Sequence, residues 1–404
     1  MTKMPLKGLK VLEFTHAVMG PSCGLLLADL GAEVIYCEPP GGSPTRKLKG
    51  FGSGYFSYFS RNKKSLCVDL KTKEGIALIH ELVQHCDILC ENFAPGTMER
   101  LGLSYEQLRE GSPQLIYCSM KGFLKGPYEN RTAMDEVVQM LGGLAYMTGP
   151  PGKPLRAGTS IIDITGGMFA VIGVLAALRE REKSGHGSFV KSSLFETTAF
   201  AMGQHMAWSA ICKKPIPPMP ARVSAWSVYQ IFKTLDQDVF IGIISEKHWQ
   251  SFCLEFACPE LLDIARFKDN NSRISAREEL LPILEKLLKT MSSQEVIEAC
   301  EKAKIPFAPV GRPEDLATDI HLNASHGLVQ TKFPTGEEAM LPALPLEWDG
   351  ERFPLRRNPP QIGEHSNEIL RTWLNRSEEE LALLEDKKVI QNYRQQAGET
   401  DASI

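Results

Sequence analysis

The 404-residue sequence has no excess of charge of either sign. Its 45 Lys and Arg residues nearly balance its 49 Asp and Glu residues, and the formal net charge is −4. The sequence therefore has no basic field of the kind that attracts nucleic acid. No apolar run reaches the ~18 residues typical of a membrane span, and the segment MTKMPLKGLKVLEF lacks the apolar stretch of about 7–15 residues found in secretory signals. We expect a cytoplasmic protein that binds neither nucleic acid nor membrane.

The ten cysteines have no metal-binding spacing. The closest pairs, Cys86/Cys90 and Cys253/Cys258, do not form CxxC motifs, and none of the nine histidines completes a four-ligand zinc set. Reduced, buried thiols are typical of cytosolic proteins. The sequence therefore predicts no metal site, and a catalytic cysteine is the less favoured alternative.

The glycine motif of dinucleotide-binding proteins is also missing. A strand (LKVLEF), a helix (SCGLLLADLGA) and a second strand (EVIYCEPP) form a βαβ unit, which implies a parallel sheet. The turn after the first strand has no GxGxxG, although Glu38 stands where a ribose-binding acid could lie. The same rhythm continues through KSLCVDL and DILCENF. The predicted fold is therefore α/β and Rossmann-like, without a nucleotide cofactor.

A proline-rich stretch divides the chain. KKPIPPMPARVSAW is typical of an extended linker, whereas the segment beyond it predicts a hairpin followed by helices. We predict a large Rossmann-like domain over 1–200, a linker over 201–225 and a small α+β domain over 226–330. Residues 331–404 are predicted to return to the large domain.

One carboxylate, Asp163, stands at the head of the long apolar stretch SIIDITGGMFAVIGVLAAL. Aspartate is a preferred N-cap, so local sequence alone favours a capping role. However, Gly166 and Gly167 each cost a helix roughly 1 kcal/mol relative to alanine, and they leave space for a ligand near the backbone. A carboxylate in such a place can act as a nucleophile on an acyl carbon. Both interpretations remain open at this point.

Other candidate side chains follow predicted strands. His16 comes directly after the first strand, where it can polarise a carbonyl or cap a turn. Asn92 offers an amide, and Arg100 offers a guanidinium suited to phosphate; an Asn turn with a solvated arginine is the alternative. Asp135 and Glu136 are predicted to be helix caps and dipole partners. Five basic residues form either a solvated face or a polyphosphate contact: Arg61, Lys63, Lys64, Lys71 and Lys73.

Taken together, these segments resemble the class III coenzyme A transferases, the family of formyl-CoA transferase and carnitine CoA-transferase. The matching segments occur in the family's order from residue 7 to about 368. They are LKGLKVLEFTHAVMGP, LGAEVIYCEPP, NKKSLCVDLKT, ENFAPGTMERLGL, LIYCSMKGF, SIIDITGGMFAVIGVLAAL and PPQIGEH.

The resemblance implies a fold and a mechanism. Family members are interlocked homodimers of ring-shaped chains, each with a large Rossmann-like domain and an inserted small domain. Asp163 matches the catalytic aspartate, whose carboxylate attacks an acyl-CoA thioester to give a mixed anhydride and then an aspartyl-CoA thioester. The acceptor acid attacks next and takes the CoA. Coenzyme A is thus a substrate, and no tightly bound cofactor is expected.

The resemblance also implies CoA-binding positions, which fall on His16, Val18, Lys71, Asn92, Phe93 and Arg100. The chain departs from the family pattern in two places. Pro39 stands where the family often has an arginine, and PPMPARVSAWSVYQ replaces the glycine-rich lid of formyl-CoA transferases. The second departure argues against oxalate or formate as the acyl group.

The segment around KGFLKGPYENRTAMDEVV is similar to that of members acting on C4 and C5 dicarboxylates, such as mesaconate, itaconate, citramalate or glutarate. A second carboxylate needs a cation, and the candidates are Arg131, Arg156 and Arg222. We expect CoA transfer, from succinyl-CoA, to such an acid. One alternative is an alpha-methylacyl-CoA racemase, but its His–Asp pair is missing because Met134 precedes Asp135. The other is a non-catalytic CoA-binding protein.

Overall fold

A computed structural model describes residues 4–221 and 224–393. Over these residues the chain divides into two compact units, one formed by residues up to 220 and from 319 onward, the other by 221–318. The strands are β1 Lys10–Phe14, β2 Glu33–Glu38, β3 Lys63–Val68, β4 Ile88–Glu91, β5 Ile116–Lys121, β6 Phe189–Ser193, β7 Val228–Lys233, β8 Asp238–Ile243, β9 Phe307–Pro309, β10 Leu328–Lys332, β11 Glu338–Pro342, β12 Glu347–Trp348, β13 Glu351–Arg352 and β14 Ile390–Gln391. The α-helices are α1 Met19–Asp29, α2 Ser53–Phe59, α3 Lys73–Val83, α4 Thr97–Arg100, α5 Tyr105–Leu108, α6 Asp135–Leu141, α7 Leu144–Thr148, α8 Ile161–Ser184, α9 Leu194–Cys212, α10 Glu246–Glu255, α11 Asn270–Ser275, α12 Arg277–Leu288, α13 Ser293–Ala303, α14 Ile320–Ala324, α15 Ser366–Leu374 and α16 Glu378–Asp386.

The larger unit is built on a seven-stranded sheet in the order β14-β3-β2-β1-β4-β5-β6. Strands β1 to β6 are parallel, and β14 pairs antiparallel with β3. The order β3-β2-β1-β4-β5-β6 is that of the doubly wound Rossmann fold, which confirms the predicted α/β class. Strand order reverses between β1 and β4, and such sheets bind ligands outside the carboxyl ends of the strands at this point.

Helices cover both faces of this sheet, which is why strands β1 to β5 are almost wholly buried. On one face, α3, α15 and α16 pack over residues such as Leu12 and Leu66. On the other face, α1 and α8 pack over residues such as Val11 and Ile116. Helix α16 packs on the same face of the sheet as α3 and α15, and β14 is the outermost strand beside β3. Neither element has a counterpart in the sequence-based prediction.

The basic run at the start of β3 is not a solvated face. Arg61, Lys63 and Lys64 are buried, and each forms an ion pair with a carboxylate of another element. The pairs join Arg61 to Asp29, Lys63 to Glu13, and Lys64 to Glu33 and Glu368. The prediction of a solvated face is wrong for these three residues because β3 lies inside the sheet, where an unpaired charge is costly. Only Lys71 and Lys73, beyond the strand, are exposed.

The smaller unit contains an antiparallel sheet in the order β7-β8-β9, with the predicted hairpin closed by Lys233 opposite Asp238. Its core lies between this sheet and α10, α12 and α13, around Trp249 and Phe252. The predicted linker over 201–225 is wrong in its first half, because α9 continues to Cys212. That stretch holds no proline, and the helix ends only where Lys213 turns left-handed at φ 53°.

A glycine pair breaks another predicted helix. Residues 135–147 form two helices, α6 and α7, instead of one. Gly143 has φ 85°, a left-handed conformation that interrupts the helical path and that glycine adopts without strain.

Helix α8 packs closely on α1. A Cβ atom on Gly167 would lie 2.7 Å from the carbonyl oxygen of Met19 and 2.8 Å from Cβ of Ser22. The space beside this glycine is therefore filled by α1, and the prediction that it admits a ligand is wrong. The glycine serves close helix packing.

Helix α8 is also the one helix, among the residues that the structure describes, that is long and apolar enough to cross a membrane by length and composition. An 18-residue window of this helix has a mean hydropathy of 2.2. The expectation from the sequence that no apolar run is long enough to span a membrane is therefore wrong. Its buried residues, Val171 and Val174 among them, belong to the core between the sheet and α1. A core helix has the same composition as a membrane span.

We expect Gly167→Ala to lower the free energy of unfolding by about 1–3 kcal/mol, because the added methyl group must push α1 away from α8. Urea denaturation of both proteins measures the effect. Gly54→Ala in α2 is the matched control, since nothing lies within 4 Å of its added Cβ, and a helical alanine is favoured over glycine by roughly 0.5–1 kcal/mol. Equal behaviour of the two variants would contradict the packing argument.

Candidate active site

The loops after β1 and β4 meet where the strand order reverses. The side-chain amide of Asn92 joins them: its oxygen accepts from the backbone N–H of His16 at 2.9 Å, and its nitrogen donates to the carbonyl of His16 at 2.9 Å. The imidazole of His16 stacks on Phe93 with ring centroids 5.9 Å apart. Burial, with a further contribution from Lys121, lowers the pKa of His16. The loops therefore present a neutral imidazole at the sheet edge.

A cleft of about 580 Å³ opens at this edge. It brings together five residues predicted from the sequence: His16, Asn92, Phe93, Arg131 and Asp163. It also contains polar side chains that the sequence analysis did not single out, including Lys121, Glu129 and Asn130.

Asp163 lies in the first turn of α8, but it does not cap the helix. The N-cap position is Ser160. The carboxylate of Asp135 accepts hydrogen bonds from the backbone N–H groups of Ile162 at 2.8 Å and Asp163 at 3.0 Å. The capping hypothesis for Asp163 is therefore wrong, because the helix begins before this residue and the Asp135 carboxylate binds two free amides of its first turn. The side chain of Asp163 forms no hydrogen bond with any residue in the described part of the chain.

The surroundings of Asp163 disfavour its charge. Burial in the cleft wall, followed by the like charges of Asp135 and Glu136, raises the pKa of Asp163 to about 7. The ionised carboxylate is consequently more basic than an ordinary aspartate, and no hydrogen bond from the described residues reduces its nucleophilicity. Such a group is a competent nucleophile.

Asp135 is fixed by Gln139. The side-chain nitrogen of Gln139 donates to Asp135, and its oxygen accepts from the backbone N–H of Ala157 at 2.9 Å. The sequence correctly indicated that Asp135 caps a helix end, but the helix is α8 instead of α6. No local signal could have shown this, because donor and acceptor are separated by more than 25 positions in the chain.

The cleft offers cations for an anionic ligand. Arg131 lies with its guanidinium carbon 4.7 Å from the ring centroid of Tyr128 and forms no ion pair within the described residues. Lys121, by contrast, is paired with Glu91 at 2.7 Å and donates to the carbonyl of Phe93 at 2.6 Å. Arg131 is therefore the cation in the cleft that is free to pair with a ligand carboxylate.

Three predicted CoA-binding residues do not line this cleft. The side chain of Val18 is buried in a small apolar cluster with Leu25 and Phe59. Lys71 is exposed on the loop between β3 and α3, at the same edge of the sheet. Arg100 is exposed on α4 and donates to the hydroxyl of Thr97 at 2.9 Å.

Of the other two predicted substrate-binding arginines, Arg156 does not line this cleft. Arg156 forms an ion pair with Glu136 and donates to the carbonyl of Ala157 at 3.0 Å, so its charge is already neutralised by a carboxylate of the protein. Arg222 lies outside the described residues.

We expect an NMR titration of ¹³C-aspartate-labelled protein to find one carboxyl group, absent in Asp163→Asn, that titrates near pH 7. Asp135→Asn should lower that pKa by removing a like charge, whereas Glu180→Gln, far along the same helix, should leave it unchanged. Because the folded pKa of about 7 exceeds the ordinary aspartate value of 3.8, the folded state holds a proton that the unfolded state releases. This group's contribution to stability should therefore fall as pH rises from about 4 to about 7. A titration near pH 4 would contradict the argument.

Fold and cleft together define a doubly wound α/β protein with a poised carboxylate at its ligand-binding edge. Residues 6–366 match the model of CoA-transferase family III, and the chain therefore belongs to that family. This confirms the resemblance noted from the sequence.

Individual relatives give the same result. The chain is 30% identical over 374 residues to a human succinyl-CoA:glutarate CoA-transferase, a match that covers 91% of this chain and 85% of the relative. It is 34% identical over 371 residues to an acetyl-CoA:oxalate CoA-transferase of Acetobacter aceti, covering 90% and 94%. The crystal structure of a CAIB/BAIF family protein from Brucella suis aligns with a TM-score of 0.82 at 29% identity, covering 92% of this chain and all of that one.

Proposed function

We propose that the protein moves CoA from an acyl-CoA donor, succinyl-CoA, to a C4–C5 dicarboxylate such as itaconate or mesaconate. The observation that carries this proposal is the Asp163 carboxylate, which has a raised pKa and lies in the same cleft as Arg131. Membership of the family supports CoA transfer in general. The relatives named above act, by their names, on glutarate and oxalate, two dicarboxylates of different length.

In the proposed mechanism Asp163 attacks the thioester carbonyl of the donor. The C–S bond breaks, CoA leaves as its thiolate and a mixed anhydride forms. The thiolate then attacks the carbonyl carbon of Asp163, releasing the donor acid and leaving an aspartyl-CoA thioester. The acceptor carboxylate attacks this thioester, the C–S bond breaks, and a second mixed anhydride forms between the acceptor and Asp163. The released thiolate attacks the acceptor's carbonyl carbon in this anhydride, which gives the acceptor's acyl-CoA and restores the Asp163 carboxylate. No proton is gained or lost over the cycle.

The loops at the sheet edge would bind the CoA part of the substrate. In this proposal the loops of His16 and of Asn92 and Phe93 position the thioester, and the exposed cations Lys71 and Arg100 contact phosphates. Water must be kept from the anhydride, which hydrolyses. Coenzyme A enters and leaves as a substrate, and no tightly bound cofactor is required.

A panel of acyl-CoA donors crossed with carboxylate acceptors tests the proposal, with CoA exchange followed by mass spectrometry. Succinyl-CoA with C4–C5 dicarboxylates should give the fastest transfer. Faster transfer to oxalate would overturn the proposed acid while leaving the reaction type intact. Epimerisation of a 2-methylacyl-CoA without transfer would favour the racemase, although Asp135 is already used as the cap of α8.

We also propose that the protein is an interlocked homodimer. In support, α8 and α9 expose large apolar side chains, including Phe200 at 75% and Ile211 at 80% of their full accessible surface. An apolar surface of this kind is typical of a protein interface.

Native mass spectrometry of mixed light and heavy-isotope preparations should therefore find two homodimer masses and no hybrid, because linked rings cannot separate without unfolding. Unfolding and refolding the mixture is the positive control and should produce the hybrid. Rapid hybrid formation under native conditions would rule out interlocking.

A further inference from the structure

Three cysteines meet inside the larger unit, apart from the cleft. Cys23 comes from α1, and Cys90 and Cys118 lie directly opposite each other on the adjacent strands β4 and β5. Their sulphur atoms all lie within 4.8 Å of one another, and all three residues are fully buried. They are far apart in sequence, and their spacing matches no metal-binding motif.

The triangle of sulphur atoms is close to the size that one metal ion needs. Three atoms no more than 4.8 Å apart share a point within about 2.8 Å of each, from 4.8 divided by √3. Metal–thiolate bonds are about 2.3 Å long, so a contraction of about 0.5 Å per sulphur would complete them.

The donor set selects the kind of ion. Among the described residues, the group holds three sulphur ligands and no fourth ligand from His, Asp or Glu. Structural zinc is almost always four-coordinate. Soft sulphur ligands without nitrogen or oxygen favour Cu(I).

The buried ion pair between Lys63 and Glu13 lies beside the cluster. Lys63 lies against α1 at this level, since a Cβ on Gly24 would come within 2.8 Å of its Nζ. Cu(I) with two thiolates and one thiol carries one negative charge; because Lys63 is already paired with Glu13, it stabilises this charge only partly.

We propose that Cys23, Cys90 and Cys118 form a buried three-sulphur site for one Cu(I) ion. Thiol protons leave to solvent as the ion binds, and neither copper nor sulphur changes oxidation state. The site is independent of CoA transfer and does not rest on the function proposed above.

Anaerobic titration of the reduced full-length protein with Cu(I), in competition with a chromophoric Cu(I) chelator, tests the proposal. The expected result is one ion per chain, with X-ray absorption showing three sulphur neighbours. Each of the variants Cys23→Ser, Cys90→Ser and Cys118→Ser should lose at least 100-fold in affinity. Cys212→Ser, at an exposed thiol, and Cys253→Ser, at the other close pair, are matched controls and should bind like the wild type.

Because the site is closed, the same titration is carried out on protein refolded in the presence of Cu(I). Uptake by either route with the expected variant pattern supports the site, whereas absence of uptake by both routes overturns it. Binding that survives all three serine substitutions, or that is lost in Cys253→Ser, also overturns it. Circular dichroism of each metal-free variant checks folding. If a serine variant does not fold, the test rests on the number of sulphur neighbours that X-ray absorption finds around copper in the wild-type protein. Fewer than three sulphur neighbours contradicts the proposal.

Discussion

Asp163→Asn should abolish CoA transfer and leave the fold intact. Asparagine has nearly the shape of aspartate but no carboxylate to attack a thioester, and loss of a covalent nucleophile costs many enzymes at least ~10⁴-fold in rate. The fold should survive because Asp135, and not Asp163, caps α8. The rate of CoA exchange and the thermal unfolding of the two proteins are the measurements.

Trapping a covalent adduct on Asp163 tests the same prediction directly. During turnover, hydroxylamine or borohydride should modify the wild-type protein within the tryptic peptide 157–179, which contains Asp163. Glu74→Gln, which changes an acidic residue in the first turn of α3, is the matched control and should retain transfer and labelling. Normal turnover by Asp163→Asn, or active wild-type protein with an unmodified peptide, would refute the nucleophile and leave CoA binding without catalysis as the remaining hypothesis.

Arg131→Ala should lower transfer to a dicarboxylate by about 30- to 3,000-fold, which corresponds to roughly 2–5 kcal/mol for removing one partner of a desolvated charge pair. Transfer to a monocarboxylate of equal length should hardly change, since that acid has no second charge to pair. The ratio of the two values of kcat/KM is the measurement, and a general folding defect would lower both.

Arg156→Ala is the matched control, because its guanidinium is paired with Glu136 and does not line the cleft. Arg222→Ala is the third variant in this comparison. If only Arg222→Ala removes the preference, the carboxylate-binding residue is misassigned but the substrate class stands. If all three variants retain the preference, the proposed arginine contact is wrong.

The parts of the fold set by local patterns could be predicted from the sequence. Apolar strands alternating with helices gave the parallel sheet, and the residues after β1 and β4, His16 and Asn92, were placed correctly because the carboxyl ends of parallel strands share one edge. The pairing of Lys63 with Glu13 could not be predicted, since its partner lies two strands away in the sheet. The same limit applies to Asp135, whose backbone partners are set by the approach of α6 to α8.

The cap formed by Asp135 has an energetic consequence for the reaction. Its charge and the burial of the cleft wall together destabilise ionised Asp163 by on the order of 4 kcal/mol, the equivalent of a pKa raised from 3.8 to about 7. In the proposed mechanism Asp163 is neutral as an acyl anhydride or a thioester, and the repulsion that its ionised form feels is then absent. The geometry that holds α8 in place would therefore also favour acylation of the ionised form of Asp163.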